Sequence, residues 1–290
     1  MRSEKEMMDM LMEFARKDPR IRLVTLEGSR TNKNIPPDEF RDFDISYFVT
    51  DMDSFKENDH WLDIFGKRLI MQKPEDMELF PPELGNWFSY LMLFEDGNRI
   101  DLTLIPIEEV QDYFCKSDGL VEVLLDKDGL VKEEVVPNDR HYWIKKPTAR
   151  EFDDCCNEFW WVSTYVVKGL ARKEILYAID HLNEIVRPNL LRMMSWQIGF
   201  DHGFDFSVGK NYKFMERYLS KEDWEKLLST YTLNDEQNRW QALFTCYELF
   251  RKFSKSVSTT LGIHYPDYDE SITRYMERIY RSYGKSRTVK

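Results

Sequence analysis

No stretch of this 290-residue chain runs to 18 uncharged apolar residues, so the sequence offers no helix that would span a membrane. Cysteine is scarce. Cys115, Cys155, Cys156 and Cys246 lack the spacing of a metal knuckle, and two of them are adjacent, which argues against a disulfide framework. Positive charge is also short: 41 Lys and Arg stand against 52 Asp and Glu, a formal net charge of −11. Phosphate backbones are gripped by clustered cations, so no nucleic-acid partner is expected, whereas a cationic ligand would be drawn toward such a field. Repeats and low-complexity segments are missing. The opening MRSEKEMMDM is charged at once and has no apolar leader core, so a cytoplasmic location is expected.

What is present is apolar content of 42%, rich in aromatics, over a length that suits two cores. Residues 3–17 read as an amphipathic helix opened by a Ser3/Glu6 capping box. Strand character follows at Ile21–Leu26, Phe43–Val49, Arg68–Gln72, Trp87–Phe94 and Arg99–Ile105, with Asp96-Gly97-Asn98 turning the last two into a hairpin. Helical stretches fall around Trp61–Gly66 and Ile107–Cys115. A boundary is read near Pro147. Thr148 and Glu151 form a second capping box, opening a helix through Lys168 that Gly169 is expected to stop. Lys173–Val186, Asn189–Ile198, Lys221–Ser229, Glu236–Leu261 and Ser271–Tyr283 continue with helical periodicity. Gly199–Gly209 reads as a lid or a connecting loop. The expected class is α+β, with a mixed-sheet domain at 1–147 and a helical bundle at 148–290.

The chemistry-bearing residues concentrate in the first half. Gly28-Ser29 closes an apolar run, and Asp42 and Asp44 sit two apart at the head of the next, DFDIS. Alternate strand residues share a face, so these two carboxylates project together while Phe43 and Ile45 point to the core. Their repulsion is relieved by a divalent cation with a preference for hard oxygen ligands, such as Mg²⁺. Asp101, in RIDLTLI, supplies a third carboxylate from a neighbouring strand. Gly28 permits close backbone approach, Ser29 offers a hydroxyl and Arg30 a cation, which together suit the triphosphate of ATP.

These motifs resemble the nucleotidyltransferase superfamily that includes DNA polymerase β. Over essentially the whole chain, LEGSRTN, FRDFDISYFV, RIDLTLIP, EFWWVSTYVVKGL and DHLNEIVRPNLLRMMSWQIG resemble the aminoglycoside 6-adenylyltransferases, the streptomycin-modifying resistance enzymes. The resemblance implies an N-terminal nucleotidyltransferase domain and a reaction in which Mg²⁺-ATP gives up AMP to the 6-hydroxyl of streptomycin. Asp42 and Asp44 would be metal ligands, and Asp101 the general base with a possible share in the metal.

An aminoglycoside is polycationic, so its site should carry acids and aromatic faces. Asp180 and Glu184 lie four apart on one helix face, and Glu158 lies on the preceding helix; these are the expected drug contacts. Trp160, Trp161 and Trp196 are aromatic surface or core. Lys168 either reaches the triphosphate across a cleft between the domains or complements its own helix terminus. Two other readings stay open on the residues: the same chemistry on a different small-molecule or protein hydroxyl, and a module that holds nucleotide and metal without catalysis. The intact triple of acids argues against the second.

Overall fold

A computed structural model describes residues 1–284. The chain divides into two compact units, with the break between His141 and Tyr142, slightly before the Pro147 boundary read from the sequence. The architecture is α+β.

In the first unit, helix α1 (Glu4–Lys17) is opened by the Ser3/Glu6 capping box, with the Glu6 carboxylate accepting from the Ser3 N–H at 2.7 Å. The strands are β1 (Ile21–Glu27), β2 (Phe43–Val49), β3 (Arg68–Gln72), β4 (Phe88–Phe94), β5 (Arg99–Pro106) and β6 (Val121–Asp126). They form one sheet in the order β3-β4-β5-β2-β1-β6. Its central pair, β2 with β5, is parallel; the other pairs are antiparallel. A single helical turn, α2 (Asp53–Lys56), and helix α3 (Val110–Lys116) lie in the connections. The segment around Trp61–Gly66 is a 3₁₀ turn over His60–Phe65, not an α-helix. Strand β6 was not read from the sequence. VEVLLD mixes helix formers with Val, and the open edge of β1 decides its state.

Strand alternation gives the sheet two different faces. Val24, Leu26, Ile45, Tyr47, Leu102 and Leu104 point one way and pack with Met7, Leu11 and Ala15 of α1. The Tyr47 hydroxyl donates to the Leu11 carbonyl at 2.8 Å and fixes that helix to the sheet. On the opposite face, residues come in rows across the strands. Leu23, Phe48 and Ile105 form an apolar row covered by Val110 and Tyr113 of α3. The next row is hydroxyls: Thr25, Ser46, Thr103 and Ser89, with Ser89 and Thr103 3.1 Å apart. The row after that is acidic. Hydrophobic cover therefore ends one row before the carboxylates begin.

The second unit is helical: α4 (Ala149–Arg172), α5 (Ile175–His181), α6 (Arg187–His202), α7 (Lys221–Ser229), α8 (Glu236–Leu261) and α9 (Tyr268–Ile279). Its core centres on Phe159 and Trp160 of α4 against Tyr247 and Phe250 of α8, with the Phe159 and Phe250 rings stacked 3.7 Å apart. Each such buried aromatic is worth roughly 2–3 kcal/mol of apolar burial.

Two expectations fail here for identifiable reasons. Gly169 does not stop α4, which runs on to Arg172 and ends at Lys173 in the left-handed region, φ 63°. A Cβ at Gly169 would lie 2.9 Å from the Ala178 Cβ, so this glycine lets α5 approach closely. Residues 173–198 are not two separate helices. A π-turn over Leu182–Val186 joins α5 to α6. Pro188 has no N–H for a regular turn, and its ring crowds the preceding one, which a widened turn relieves. Helix α6 extends to His202, so the glycine-rich loop starts at Gly203.

Candidate active site

Strand β1 ends at Glu27 and turns through a 3₁₀ segment, Gly28–Arg30. Gly28 has φ +68°, and a Cβ on it would sit 2.6 Å from the Asp44 Oδ2. The absent side chain is the space that the Asp44 carboxylate occupies. Its N–H donates to the Leu120 carbonyl at 2.9 Å, so the Gly28 amide is engaged by the fold. The Ser29 hydroxyl makes no hydrogen bond among the described residues.

Arg30 does not extend toward this turn. Its Nε donates to the Asp42 carbonyl at 2.8 Å, its Nη2 to the Arg41 carbonyl at 2.7 Å, and its Nη1 pairs with Glu4 at 2.9 Å. The guanidinium lies 3.6 Å over the Phe43 ring. Arg30 thus braces the backbone that delivers Asp42 to the head of β2.

Asp44 and Asp101 are direct partners in the parallel β2–β5 register, and Asp42 precedes β2 on the same side. Arg99 closes the cluster: its Nε and Nη2 each donate to Asp101 at 2.8 Å, and its Nη1 lies 3.7 Å from Asp42. Burial, followed by the charges of Asp101 and Asp42, lifts Asp44 to about 6. Burial also raises Asp42, with Arg99 opposing it. Arg99 is raised, chiefly by its hydrogen bonds to Asp101.

Three carboxylates on one sheet face, two of them reluctant to ionise, make an all-oxygen donor set that suits a hard divalent cation. As placed among the described residues, no group of three or more Asp, Glu, His or Cys side chains could hold a metal ion. Arg99 is the cation paired with the cluster here.

Glu27 is the residue that sequence reasoning passed over. Its carboxyl end receives the Tyr113 hydroxyl at 2.5 Å and the Thr25 hydroxyl, and both donors are buried. Burial, partly offset by hydrogen bonds from Thr25, Tyr113 and Ser46, lifts it to about 8, with Asp44 adding to the rise. The available signal was alternation. Glu27 stands two after Thr25, on the face that Ser46 and Asp44 share across the pair.

The remaining candidates belong to the helical unit. Glu158 on α4, Asp180 on α5 and Glu184 in the π-turn are exposed, and none forms an ion pair among the described residues. Lys168 places its ammonium 4.6 Å over the Tyr165 ring. The three tryptophans separate: Trp160 and Trp196 are core, whereas Trp161 is 59% exposed.

A family model described as Streptomycin adenylyltransferase matches residues 1–279. The chain is 73% identical to the Aminoglycoside 6-adenylyltransferase of Bacillus subtilis (strain 168), over 97% of this chain and 99% of that protein. It is 58% identical to the Campylobacter jejuni protein of the same name, over 98% of both chains. A Staphylococcus aureus protein of that name is 50% identical, over 97% of this chain and all of that one. A solved crystal structure of an aminoglycoside 6-adenyltransferase from Bacillus subtilis is 67% identical, covers 97% of this chain and 99% of that one, and has a TM-score of 0.48. On the family match over residues 1–279 and the identities to these three relatives of known sequence, the chain belongs to the streptomycin adenylyltransferase family.

Proposed function

We propose that this chain transfers AMP from ATP to a hydroxyl of an aminoglycoside, the 6-hydroxyl of streptomycin by family, releasing pyrophosphate and so conferring resistance. The observation that carries the chemistry is the Asp44–Asp101 register pair, with Asp42 beside it and the Gly28 turn shaped around the Asp44 carboxylate. Asp42, Asp44 and Asp101 would hold Mg²⁺. That ion, when bound, would lower the charge barrier to attack on the α-phosphorus.

The chain's own groups then have separate tasks. Asp101 accepts the proton of the attacking hydroxyl, which requires Arg99 to release at least one of its oxygens. Arg99, freed, is a cation at the carboxylates' edge that can meet phosphate oxygens. The Gly28-Ser29 turn sits against the triphosphate, with the Ser29 hydroxyl donating. Arg30 acts by holding the Asp42 backbone. The helical unit binds the acceptor through Glu158, Asp180 and Glu184. ATP as donor supports a cytoplasmic location, and among the described residues no helix is long and apolar enough to cross a membrane.

The deciding experiment incubates the protein with Mg²⁺-ATP and a panel of aminoglycosides, following pyrophosphate release and product mass. Streptomycin should gain the mass of one AMP. A gain on another hydroxyl compound alone would move the acceptor elsewhere, and no pyrophosphate with any acceptor would remove the catalytic reading.

A further inference from the structure

The exposed face of α4 and α5 carries an aromatic row that the AMP-transfer chemistry does not use. Trp161 and Tyr165 lie one turn apart on α4, and the Trp161 Nε1 donates to the Tyr165 hydroxyl at 2.8 Å, which sets the indole plane. Tyr165 meets His181 of α5 edge to face, with ring centres 5.5 Å apart. His181 in turn packs on Tyr177 at 4.2 Å, and its Nδ1 is 2.8 Å from the Tyr177 carbonyl. A carbonyl only accepts, so Nδ1 carries the proton and the ring orientation is fixed.

This row is open where the fold had the means to close it. Trp161 is 59% exposed and Tyr177 44%, while the adjacent Trp160 is buried at 1%. Acids without ion partners among the described residues border the row at helical spacing. Glu158 stands one turn before Trp161, Asp180 three after Tyr177, and Glu184 three after His181. Flat aromatic faces with exposed carboxylates one turn away on the same helices select one ligand chemistry above others: a planar, weakly hydrated, delocalised cation that stacks and forks at once. The Lys168 ammonium, already 4.6 Å over Tyr165, shows a ring of this row taking a cation. An ammonium keeps its hydration shell and needs no plane; a guanidinium uses both the plane and the carboxylates.

We propose that the row of Trp161, Tyr165, His181 and Tyr177, with Glu158 and Glu184 beside it, holds a guanidinium group of the acceptor and discriminates guanidino aminoglycosides from those that carry only amines. This rests on the aminoglycoside reading above. It adds that the selected feature is the guanidinium of the streptomycin cyclitol.

The test compares wild type, Trp161→Ala, Trp161→Phe and Glu184→Gln in two measurements. The first is steady-state AMP transfer to streptomycin, with the KM for ATP followed in parallel. The second is calorimetric binding of streptidine, the bare diguanidino cyclitol, without ATP. Trp161→Ala and Glu184→Gln should each raise the streptomycin KM roughly tenfold, leave the KM for ATP within about twofold, and weaken streptidine binding to the same degree. Trp161→Phe should recover most of the loss. Streptidine binding that is equal in all four proteins, or absent from wild type, overturns the proposal, as does a shift in the KM for ATP alone, which would make the row a nucleotide platform. Wild type that transfers no AMP to any aminoglycoside refutes the proposed function; the streptidine arm still judges the row.

Discussion

At the residue scale, the site is built from incompatible demands settled at single positions. Gly28 is glycine for two reasons that act together: a left-handed φ and the space held by Asp44. Gly28→Ala should therefore cost about 1–2 kcal/mol of stability and, by displacing Asp44, at least about a hundredfold in kcat. Thermal melts and steady-state rates on the same preparation check both; near-normal turnover would mean Asp44 tolerates displacement. Asp42→Asn and Asp44→Asn should each abolish AMP transfer with the melting curve preserved. Substantial turnover in both variants would remove them from the reaction.

Glu27 makes the pH prediction. Its folded carboxyl, at about 8, lies above the ordinary value of 4.5, so the folded state keeps a proton that the unfolded chain releases first. The stabilisation is complete below pH 4.5 and is lost as pH rises through 8. Denaturation of metal-free protein at pH 5.5 and 8.5 should show wild type losing more than about 1 kcal/mol that Glu27→Gln retains. Parallel losses in the two proteins would show that the carboxyl is not held protonated.

At the element scale, close packing overrides intrinsic preference. Alanine favours a helix over glycine by about 1 kcal/mol, but a Cβ at Gly169 meets Ala178 at 2.9 Å for Cβ and 3.2 Å for Cα. Overpacking wins, so Gly169→Ala should destabilise by roughly 1–2 kcal/mol in urea titration; a gain in stability would mean that α5 yields. The same contact explains what the sequence could and could not tell. Strands and helices with strong periodicity, such as Phe43–Val49 and Glu236–Leu261, lie where they were read, because burial of one face dictates them. Gly169 was read as a stop because its reason is a partner helix, which a local pattern does not contain. Strand β6 was missed because a neighbouring edge decides it. The placement of Asp42, Asp44 and Asp101 on one sheet face was legible through spacing and alternation. Arg99 and Glu27 share that alternation but were passed over, since it shows neither the ion pair that Arg99 makes with Asp101 two residues along β5 nor the Tyr113 hydroxyl that reaches Glu27 from α3.

At the scale of the whole molecule, a net charge of −11 acts on any polycationic acceptor before it binds. Raising salt from about 50 to 500 mM shortens the Debye length from roughly 14 to 4 Å. It should lower kcat/KM for a polycationic aminoglycoside several-fold, with kcat much less affected. A flat salt profile would show that the field does not steer. The parallel β2–β5 pair carries a consequence in time. Between its strands the chain must lay down β3, β4 and the hairpin, and the pair is the one parallel contact among the described strands. During synthesis Asp42 and Asp44 emerge well before Asp101, and the carboxylates meet only when this non-local closure completes. On the role proposed for these carboxylates, a refolding chain would recover its helical signal first and its turnover only once the sheet centre zips.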